Sequence, residues 1–468
     1  MGAGFYLRSA DLRSKARRLA GMGLFAVWLG AVLALGGVSL GRTVSLLSGG
    51  AVPVDFATFY LAGRMALTDP TRLYDAQALA ELAARTAENP AAAVYAVGDW
   101  APPYAYPPFF AAVLTPLARL PFETAGTLWR AGVVLCLLGC IPLLGQLARV
   151  RSAQEGPDWR TWGLGVLALL FFNPAHETLL LGQIGALMLV LSTAGLVCMQ
   201  KRTFSWDTAG GILLGLATAV KVFPGVFLLY ALARRRWGAV AGGAAAFLGC
   251  FLLGGVALGG TGGVWLMSWN YYASGLIHTY AERINSLVAG NQAITAWFIN
   301  LLGETRFASS LGLGMVLSIG LATCAIALLR RKSQSQRDWL LEVSLVALLP
   351  ILIPSIICAH SYVLALFPLA VLIRYAVENG LGIGLRNGAT AGACAAYLFI
   401  DISSYADWTR QPVFTLIPIG LVGVLILWSV FSFKILRPTG NGFVQNIPLE
   451  RAWAKPAPEN GSAGRRFL

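Results

Sequence analysis

The sequence predicts an all-α polytopic membrane protein with about ten to twelve transmembrane helices. Hydrophobic residues make up 57% of the 468 residues and charged residues only 12%, against about 25% charged in soluble domains. The mean hydropathy is +0.68. Long apolar runs recur along most of the chain, and basic residues collect at their ends, as they do beside membrane spans.

The apolar runs account for the predicted helices, because about 20 apolar residues cross a bilayer as a helix. They lie near 20–42, 106–120, 124–147, 160–175, 182–200, 208–232, 237–259, 309–330, 339–358, 361–379, 388–402 and 411–433. Several are short and contain proline. Broken helices inside a membrane are tolerated only where they line a cavity enclosed by protein.

Charge and composition divide the chain into three regions. A basic N-terminus (1–19) precedes a membrane domain (20–435), and a tail containing several Pro and Gly residues (436–468) follows. The composition of the tail is typical of disordered segments.

The positive-inside rule orients the chain. Both termini and the basic clusters Arg234–Arg236 and Arg330–Lys332 are expected in the cytoplasm. The outer loops are then 43–104 and 260–288, and the first carries six acidic residues against three basic ones. We expect short juxtamembrane helices in this first, periplasmic loop.

One run conflicts with this orientation. Lys201 and Arg202 precede the run 208–232, and Arg234–Arg236 follow it. Either the run is a re-entrant pair that turns at 221–224, or one basic flank lies outside.

The net charge of +14 would suggest a nucleic-acid partner in a soluble protein. Here the charges lie at span ends and termini, so anionic lipid headgroups are the expected partner and nucleic acid is not. All seven cysteines lie within apolar runs, without a disulfide framework. No second ligand pair accompanies Cys136 and Cys140, so neither a metal site nor a cofactor is predicted.

Polar residues concentrate in stretches beside the predicted membrane ends. These stretches are VDFATFYLAGR (54–64), Trp100 with Tyr106-Pro107-Pro108, Asn173 to Gln183, Lys221-Val222-Phe223-Pro224, Asn291-Gln292 and Cys358 to Tyr362. A charge beside hydrocarbon is expensive, so it is usually functional or paired.

Structural explanations compete with functional ones at three of these positions. Asp55 is also suited to cap a juxtamembrane helix or to pair with Arg64. Lys221 is long enough to extend to the interface, and His360 is also typical of a helix end.

The order of these motifs, with Leu73-Tyr74-Asp75 between the first two, resembles glycosyltransferase family 87. The resemblance covers roughly residues 20–435. It implies a GT-C fold and a transferase that depends on a polyprenyl-phosphate sugar. Known members of the family include mannosyltransferases of phosphatidylinositol-mannoside synthesis.

The resemblance implies a catalytic carboxylate at Asp55, which removes the proton of the acceptor hydroxyl. Lys221, Arg64 and His360 are the candidates to bind the leaving phosphate. His360 is alternatively a catalytic residue that contacts the acceptor and tunes the base. No metal-binding acidic pair stands near Asp55, so transfer should be independent of metal.

Five further residues are expected to bind the sugar or the acceptor. Tyr106 and Trp100 suit stacking on sugar faces, and Gln183 and Asn291 suit hydrogen bonds to hydroxyl groups. Tyr362, beside His360, completes this set.

The implied function is inverting transfer of a sugar, mannose first, from a polyprenyl-phosphate donor to a lipid or glycan acceptor. The reaction would take place at the outer face of the cytoplasmic membrane. The alternatives are a transporter or flippase for lipids or polyprenyl phosphates, and a GT-C transferase of another sugar such as arabinofuranose.

Overall fold

The computed structural model describes residues 26–85, 104–148, 166–263, 271, 290–329, 335–378, 388–409 and 417–436. All regular secondary structure within these ranges is helical, which confirms the predicted all-α architecture.

We number the main α-helices of these ranges in chain order. They are α1 (Ala26–Ser48), α2 (Val54–Thr68), α3 (Ala76–Arg85), α4 (Pro108–Ala118), α5 (Phe122–Ala148), α6 (Asn173–Leu181), α7 (Gly185–Gln200), α8 (Phe204–Val220), α9 (Val226–Ala233), α10 (Trp237–Gly263), α11 (Ile294–Leu302), α12 (Arg306–Leu329), α13 (Gln336–Val346), α14 (Leu349–Leu352), α15 (Leu366–Glu378), α16 (Gly388–Thr409) and α17 (Ile419–Leu436). Short 3₁₀ helices cover Pro70–Arg72, Phe223–Gly225 and Ala359–Ala365.

Among the described residues, five helices are long and apolar enough to cross a membrane: α1, α5, α10, α12 and α17. The bent pair α6 and α7 raises this number to six. Five shorter apolar helices accompany them, at Pro108–Ala118, Phe204–Val220, Phe223–Ala233, Ala359–Arg374 and Ala391–Ser403. A polytopic membrane protein is therefore confirmed, and the total of about ten to twelve spans stays a prediction.

The first predicted outer loop contains the expected short helices, α2 and α3. Both belong to a compact hydrophobic cluster with α4, in which Phe56, Phe59 and Tyr104 are buried. This cluster fixes the start of α2 beside the membrane domain.

A sharp break separates α6 from α7, which are bent by 119°. Gly182 ends α6 in the left-handed conformation, with φ of 71°, which glycine adopts at little cost. A Cβ atom at this position would lie 2.8 Å from the Cβ atom of Phe56. Both the backbone angle and the close approach of α2 therefore require glycine here.

The run 208–232 forms two short helices, α8 and α9, rather than one span. Asp207, in the first turn of α8, forms an ion pair with Arg236, which follows α9. The guanidinium of Arg236 also donates to the carbonyl of Met199 at the end of α7. Because both basic flanks lie at the same end, the chain turns back at Lys221, and the structure favours the re-entrant alternative.

Glycines hold this helical hairpin against α10. Cβ atoms at Gly211 and Gly215 would lie 2.0 Å and 2.4 Å from carbonyl oxygens of α10. Small residues four apart allow this close approach between helices in membranes. This packing holds α8, which ends at Lys221, against α10.

Candidate active site

Asp55 occupies the second position of α2, where the helix dipole favours a carboxylate. Its side chain is half-buried. Its Oδ2 atom accepts a hydrogen bond of 2.7 Å from Nε2 of Gln183. Within the described part of the chain it forms no ion pair with Arg64, so the pairing alternative is not realised.

Gln183 reaches Asp55 because of the break between α6 and α7. It directly follows Gly182, and its N–H donates to the carbonyl of Thr178 at 2.9 Å. The indole of Trp129 donates to the carbonyl of Gly182 at 2.7 Å. These bonds hold the break against α2 and direct the glutamine amide at the carboxylate.

Lys221 stands at the turn of the α8–α9 hairpin. Its backbone is extended, with φ of −142°, and Pro224 follows in the 3₁₀ helix. Its ammonium lies within electrostatic range of Asp55 and of His360. The re-entrant turn therefore brings a cation to the carboxylate.

His360 lies in a fourth element, the 3₁₀ helix Ala359–Ala365. Its carbonyl accepts a hydrogen bond of 3.2 Å from the Thr178 hydroxyl. A Cβ atom at Gly185 would lie 2.8 Å from Val363, so this segment packs tightly on α6 and α7. The hairpin thus brings Lys221 within electrostatic range of Asp55, and the 3₁₀ helix brings His360 within range of Lys221.

Burial of the carboxyl raises the pKa of Asp55 from 3.8 to about 6. The hydrogen bond from Gln183 and the positive charge of Lys221 both favour the ionised form and oppose part of this rise. Asp55 is consequently ionised at neutral pH, and it is more basic than an exposed aspartate.

Tyr106 lies beside this group. Its ring packs edge-on against Phe59, with centroids 5.0 Å apart, and Phe59 is one turn beyond Asp55 on the same face of α2. Tyr74 donates to the carbonyl of Tyr106 at 3.0 Å. Tyr106 is half-buried, so the placement suits its predicted contact with a sugar.

Arg64 does not join the group. Nine helical residues separate it from Asp55, which places it about 13 Å along the axis and on the opposite face of α2. It donates to the carbonyl of Ala118 at 3.4 Å and lies beside Tyr60.

Asn291 and Tyr362 form hydrogen bonds to other protein groups. The amide oxygen of Asn291 accepts from the N–H groups of Ala293 and Ile357. Tyr362 is fully buried, and its hydroxyl donates to Gln292 at 3.2 Å. Their predicted sugar contacts remain predictions, as does that of Trp100, which lies outside the described residues.

Asp401 of α16, which is not among the predicted site residues, caps the N-terminus of α6. Its Oδ1 atom accepts from the N–H of Asn173 at 2.7 Å, and the Asn173 side chain donates to its carbonyl at 3.2 Å. Asn173 in turn contacts Ser39 of α1, whose hydroxyl lies 2.7 Å from Nδ1 of His176. An aspartate inside the apolar run 388–402 is the signal that would have found it.

Among the described residues, no cluster of three or more His, Cys, Asp or Glu side chains could hold a metal ion. Independence of metal stays a prediction.

A family model described as "Glycosyltransferase family 87" matches residues 104–355. The chain belongs to glycosyltransferase family 87. The matched range includes Tyr106, Gln183, Lys221 and Asn291, whereas Asp55 and His360 lie outside it.

Curated mycobacterial relatives agree with this assignment. A polyprenol-phosphate-mannose-dependent α-(1-2)-phosphatidylinositol pentamannoside mannosyltransferase of Mycolicibacterium smegmatis is 28% identical over 312 residues, 65% of either chain. A polyprenol-phosphate-mannose-dependent α-(1-2)-phosphatidylinositol mannoside mannosyltransferase of Mycobacterium tuberculosis is 30% identical over 201 residues, 39% of this chain and 42% of its own length. The match thus spans just under two thirds of the first relative. No solved structure matches the chain significantly.

Proposed function

We propose that this chain is a membrane-embedded inverting glycosyltransferase. It moves a sugar, with mannose as the first candidate, from a polyprenyl-phosphate donor to a lipid or glycan acceptor. The names of its relatives support a polyprenol-phosphate-mannose donor and a phosphatidylinositol-mannoside acceptor. The observation that carries the proposal is the half-buried Asp55 carboxylate, bonded to Gln183 and close to Lys221.

Asp55 acts as the general base. It takes the proton of the acceptor hydroxyl as that oxygen attacks the anomeric carbon, and a raised pKa makes it better suited to do so near neutral pH. The phosphate leaves from the opposite side of the sugar, which inverts the anomeric carbon. The carboxylate also stabilises the positive charge that the sugar ring develops in the transition state.

Lys221 and His360 receive the leaving phosphate. A cation in a site with little water stabilises developing negative charge more strongly than it would in bulk solvent. Lys221 stands at the turn of the hairpin, where its ammonium lies within electrostatic range of both His360 and Asp55. Tyr106 stacks against the sugar.

The membrane explains the choice of donor. The polyprenyl tail holds the phosphate at one depth, and we propose that Asp55, at the start of α2, lies at the same depth. We assign the end of the domain that contains Asp55 and Lys221 to the outer face of the membrane, because the opposite end of the α8–α9 hairpin carries the basic cluster Arg234–Arg236.

The experiment uses radiolabelled polyprenyl-phosphate-mannose and membranes that contain wild type or Asp55→Asn. A labelled glycolipid formed only by the wild type is the expected result. Product formed equally by both would refute the assignment of the base. If product formed only from another polyprenyl-phosphate sugar, such as arabinofuranose, the transferred sugar would be that one and not mannose. If labelled lipid moved across the membrane and no glycosidic bond formed, the protein would be a transporter and not a transferase.

A further inference from the structure

A basic cavity lies at the end of the α8–α9 hairpin that is far from Lys221. Its volume is about 530 Å³, and four arginines line it: Arg202, Arg234, Arg235 and Arg236. The 17 residues of α8 rise about 1.5 Å each, so about 25 Å separate this cavity from the turn at Lys221. The cavity is therefore distinct from the candidate active site.

The lining of the cavity carries a net positive charge. Arg234 forms an ion pair with Glu342, and Arg236 forms one with Asp207. Glu342 also accepts a hydrogen bond of 2.7 Å from the hydroxyl of Tyr230. The lining contains four guanidinium groups and two carboxylates, a formal net charge of +2, and Arg202 also donates to the carbonyl of Ser335 at 3.5 Å. An anionic group such as a phosphate complements this lining.

Two of the arginines have an unfavourable backbone conformation. Arg202 has φ of 54° and Arg235 has φ of 57°, in the left-handed region where side chains other than Asn and Asp are uncommon. Both follow closely after the C-terminus of a helix, α7 or α9, where glycine usually takes this conformation. Local strain of this kind is often retained at functional sites, which makes both arginines candidates for a binding role.

The rim of the cavity has the chemistry of a membrane interface. Phe204 and Trp237 line it and are 70% and 59% exposed. Nearby, the ammonium of Lys201 lies 3.3 Å from the ring centre of Trp206. Exposed aromatic residues at helix ends, with basic residues beside them, are typical of the lipid headgroup level. A soluble anion would gain nothing from this apolar rim, whereas a lipid would contact both the rim and the arginines.

We propose that this cavity binds the phosphate headgroup of an anionic membrane lipid, with the arginines on the phosphate and the acyl chains along Phe204 and Trp237. On the orientation proposed above, the lipid belongs to the cytoplasmic leaflet, where anionic headgroups attract basic residues. Under the proposed function the reaction takes place at the Lys221 end of the hairpin, so this lipid is neither the sugar donor nor the acceptor.

The test is a lipid titration of the purified full-length chain in detergent, read as the shift in its thermal unfolding temperature. Phosphatidylglycerol is the anionic probe, phosphatidylcholine is the zwitterionic one, and inorganic phosphate is the soluble one. The variant is Arg202→Asn with Arg235→Asn, because asparagine tolerates the left-handed conformation and neither arginine takes part in the two ion pairs.

The matched control is Arg306→Asn. Arg306 is exposed at the start of α12. The other end of this helix adjoins the cavity, since the carbonyl of Ala327 accepts a hydrogen bond of 2.6 Å from Arg234.

Phosphatidylglycerol should raise the unfolding temperature of wild type and Arg306→Asn in a saturable manner, and phosphatidylcholine should not. An arginine near an anionic membrane surface contributes about fivefold to affinity, so the double variant should bind at least about tenfold more weakly. Arg235→Asn alone, at an exposed position, should bind about fivefold more weakly and serves if the double variant does not fold.

Three results would overturn the proposal. The first is unchanged affinity in the arginine variants, and the second is an equal response to phosphatidylcholine. The third is a full shift with inorganic phosphate alone, which would make the cavity a site for a soluble anion.

Discussion

Asp55→Asn should remove the chemistry of this protein and leave its fold at least as stable as before. Asparagine has the shape of aspartate, and its side-chain oxygen can still accept the hydrogen bond that Gln183 donates. It cannot accept a proton from the acceptor hydroxyl. Loss of a general base usually costs about 10²- to 10⁴-fold in rate, so transfer should fall at least a hundredfold.

The expected gain in stability follows from the pKa of Asp55. Folding raises this pKa from 3.8 to about 6, a difference equivalent to about 3 kcal/mol against the ionised folded state. Partial exposure of the carboxyl reduces the figure, and we expect about 1–2 kcal/mol. At pH 7 the asparagine variant should therefore have the higher free energy of unfolding.

The sign of the pH dependence provides a second check. Between about pH 4 and pH 6 the folded protein binds more protons at this carboxyl than the unfolded chain does. Its contribution to stability therefore falls as the pH rises through this range. The advantage of Asp55→Asn should be present at pH 7 and absent below about pH 4.

The assay pairs mannosyl transfer with thermal unfolding of the purified protein in detergent. Asp75→Asn is the control, because Asp75 is an exposed carboxylate with a lowered pKa that caps α3 and contacts Arg72. Its replacement should not stabilise the protein at pH 7 and should leave transfer intact. Residual transfer by Asp55→Asn above about a tenth of wild type, or a loss of stability at pH 7, would refute the reasoning.

Four further outcomes are expected. Gln183→Leu removes a bond to the ionised carboxylate, so the acidic limb of the pH profile of kcat/KM, near pH 6 in wild type, should move to higher pH; Gln200→Leu, a glutamine outside the site, should not move it. Gly182→Ala and Gly50→Ala both force alanine into positive φ, at a cost of about 1 kcal/mol, but of the two positions only 182 has a neighbouring atom in close approach. Gly182→Ala should therefore lose more stability than Gly50→Ala and should also lose transfer activity. Equal effects in both variants would exclude a role for the close approach of α2. Lys221→Ala should raise the KM for the lipid donor with little change in stability, whereas unchanged donor dependence would leave this lysine as a residue that merely extends to the interface. Chelation by EDTA should leave transfer unchanged, and restoration of a lost activity by a divalent cation would contradict independence of metal.

Hydropathy predicted the helical class well, because the need to bury backbone polar groups in lipid leaves helices as the main choice. It did not predict where the helices break. The apolar run 182–200 starts within the break at which α6 and α7 are bent by 119°, and the run 208–232 folds back on itself. The apolar content of a run does not distinguish a helix that crosses the membrane from a hairpin that turns back within it. Only the basic residues on both sides of 208–232 signalled the reversal, and the Arg236–Asp207 ion pair shows how the two ends meet.

The candidate site was predictable one residue at a time, but its assembly was not. Asp55, Lys221 and His360 each stood out as ionisable groups beside apolar runs. Their proximity depends on how α2, the hairpin and the 3₁₀ helix pack together, and no local sequence pattern predicts this tertiary packing. Arg64 shows the opposite case, since nine residues of helix separate it from Asp55 by two and a half turns, and helical periodicity alone would have put it on the other face.

The breaks in these helices explain how a membrane domain accommodates such a site. A side chain on a straight span with few neighbours faces lipid, where a charge is expensive. Lys221 and Gln183 instead lie where an α-helix ends, and His360 lies in a 3₁₀ helix between two α-helices. Gly182, with its positive φ, permits the helix end before Gln183, and Pro224 follows the helix end at Lys221. Short helices that stop inside the protein therefore let charged and polar groups converge on Asp55 without facing the hydrocarbon, which a bundle of uninterrupted spans would not allow at the same depth.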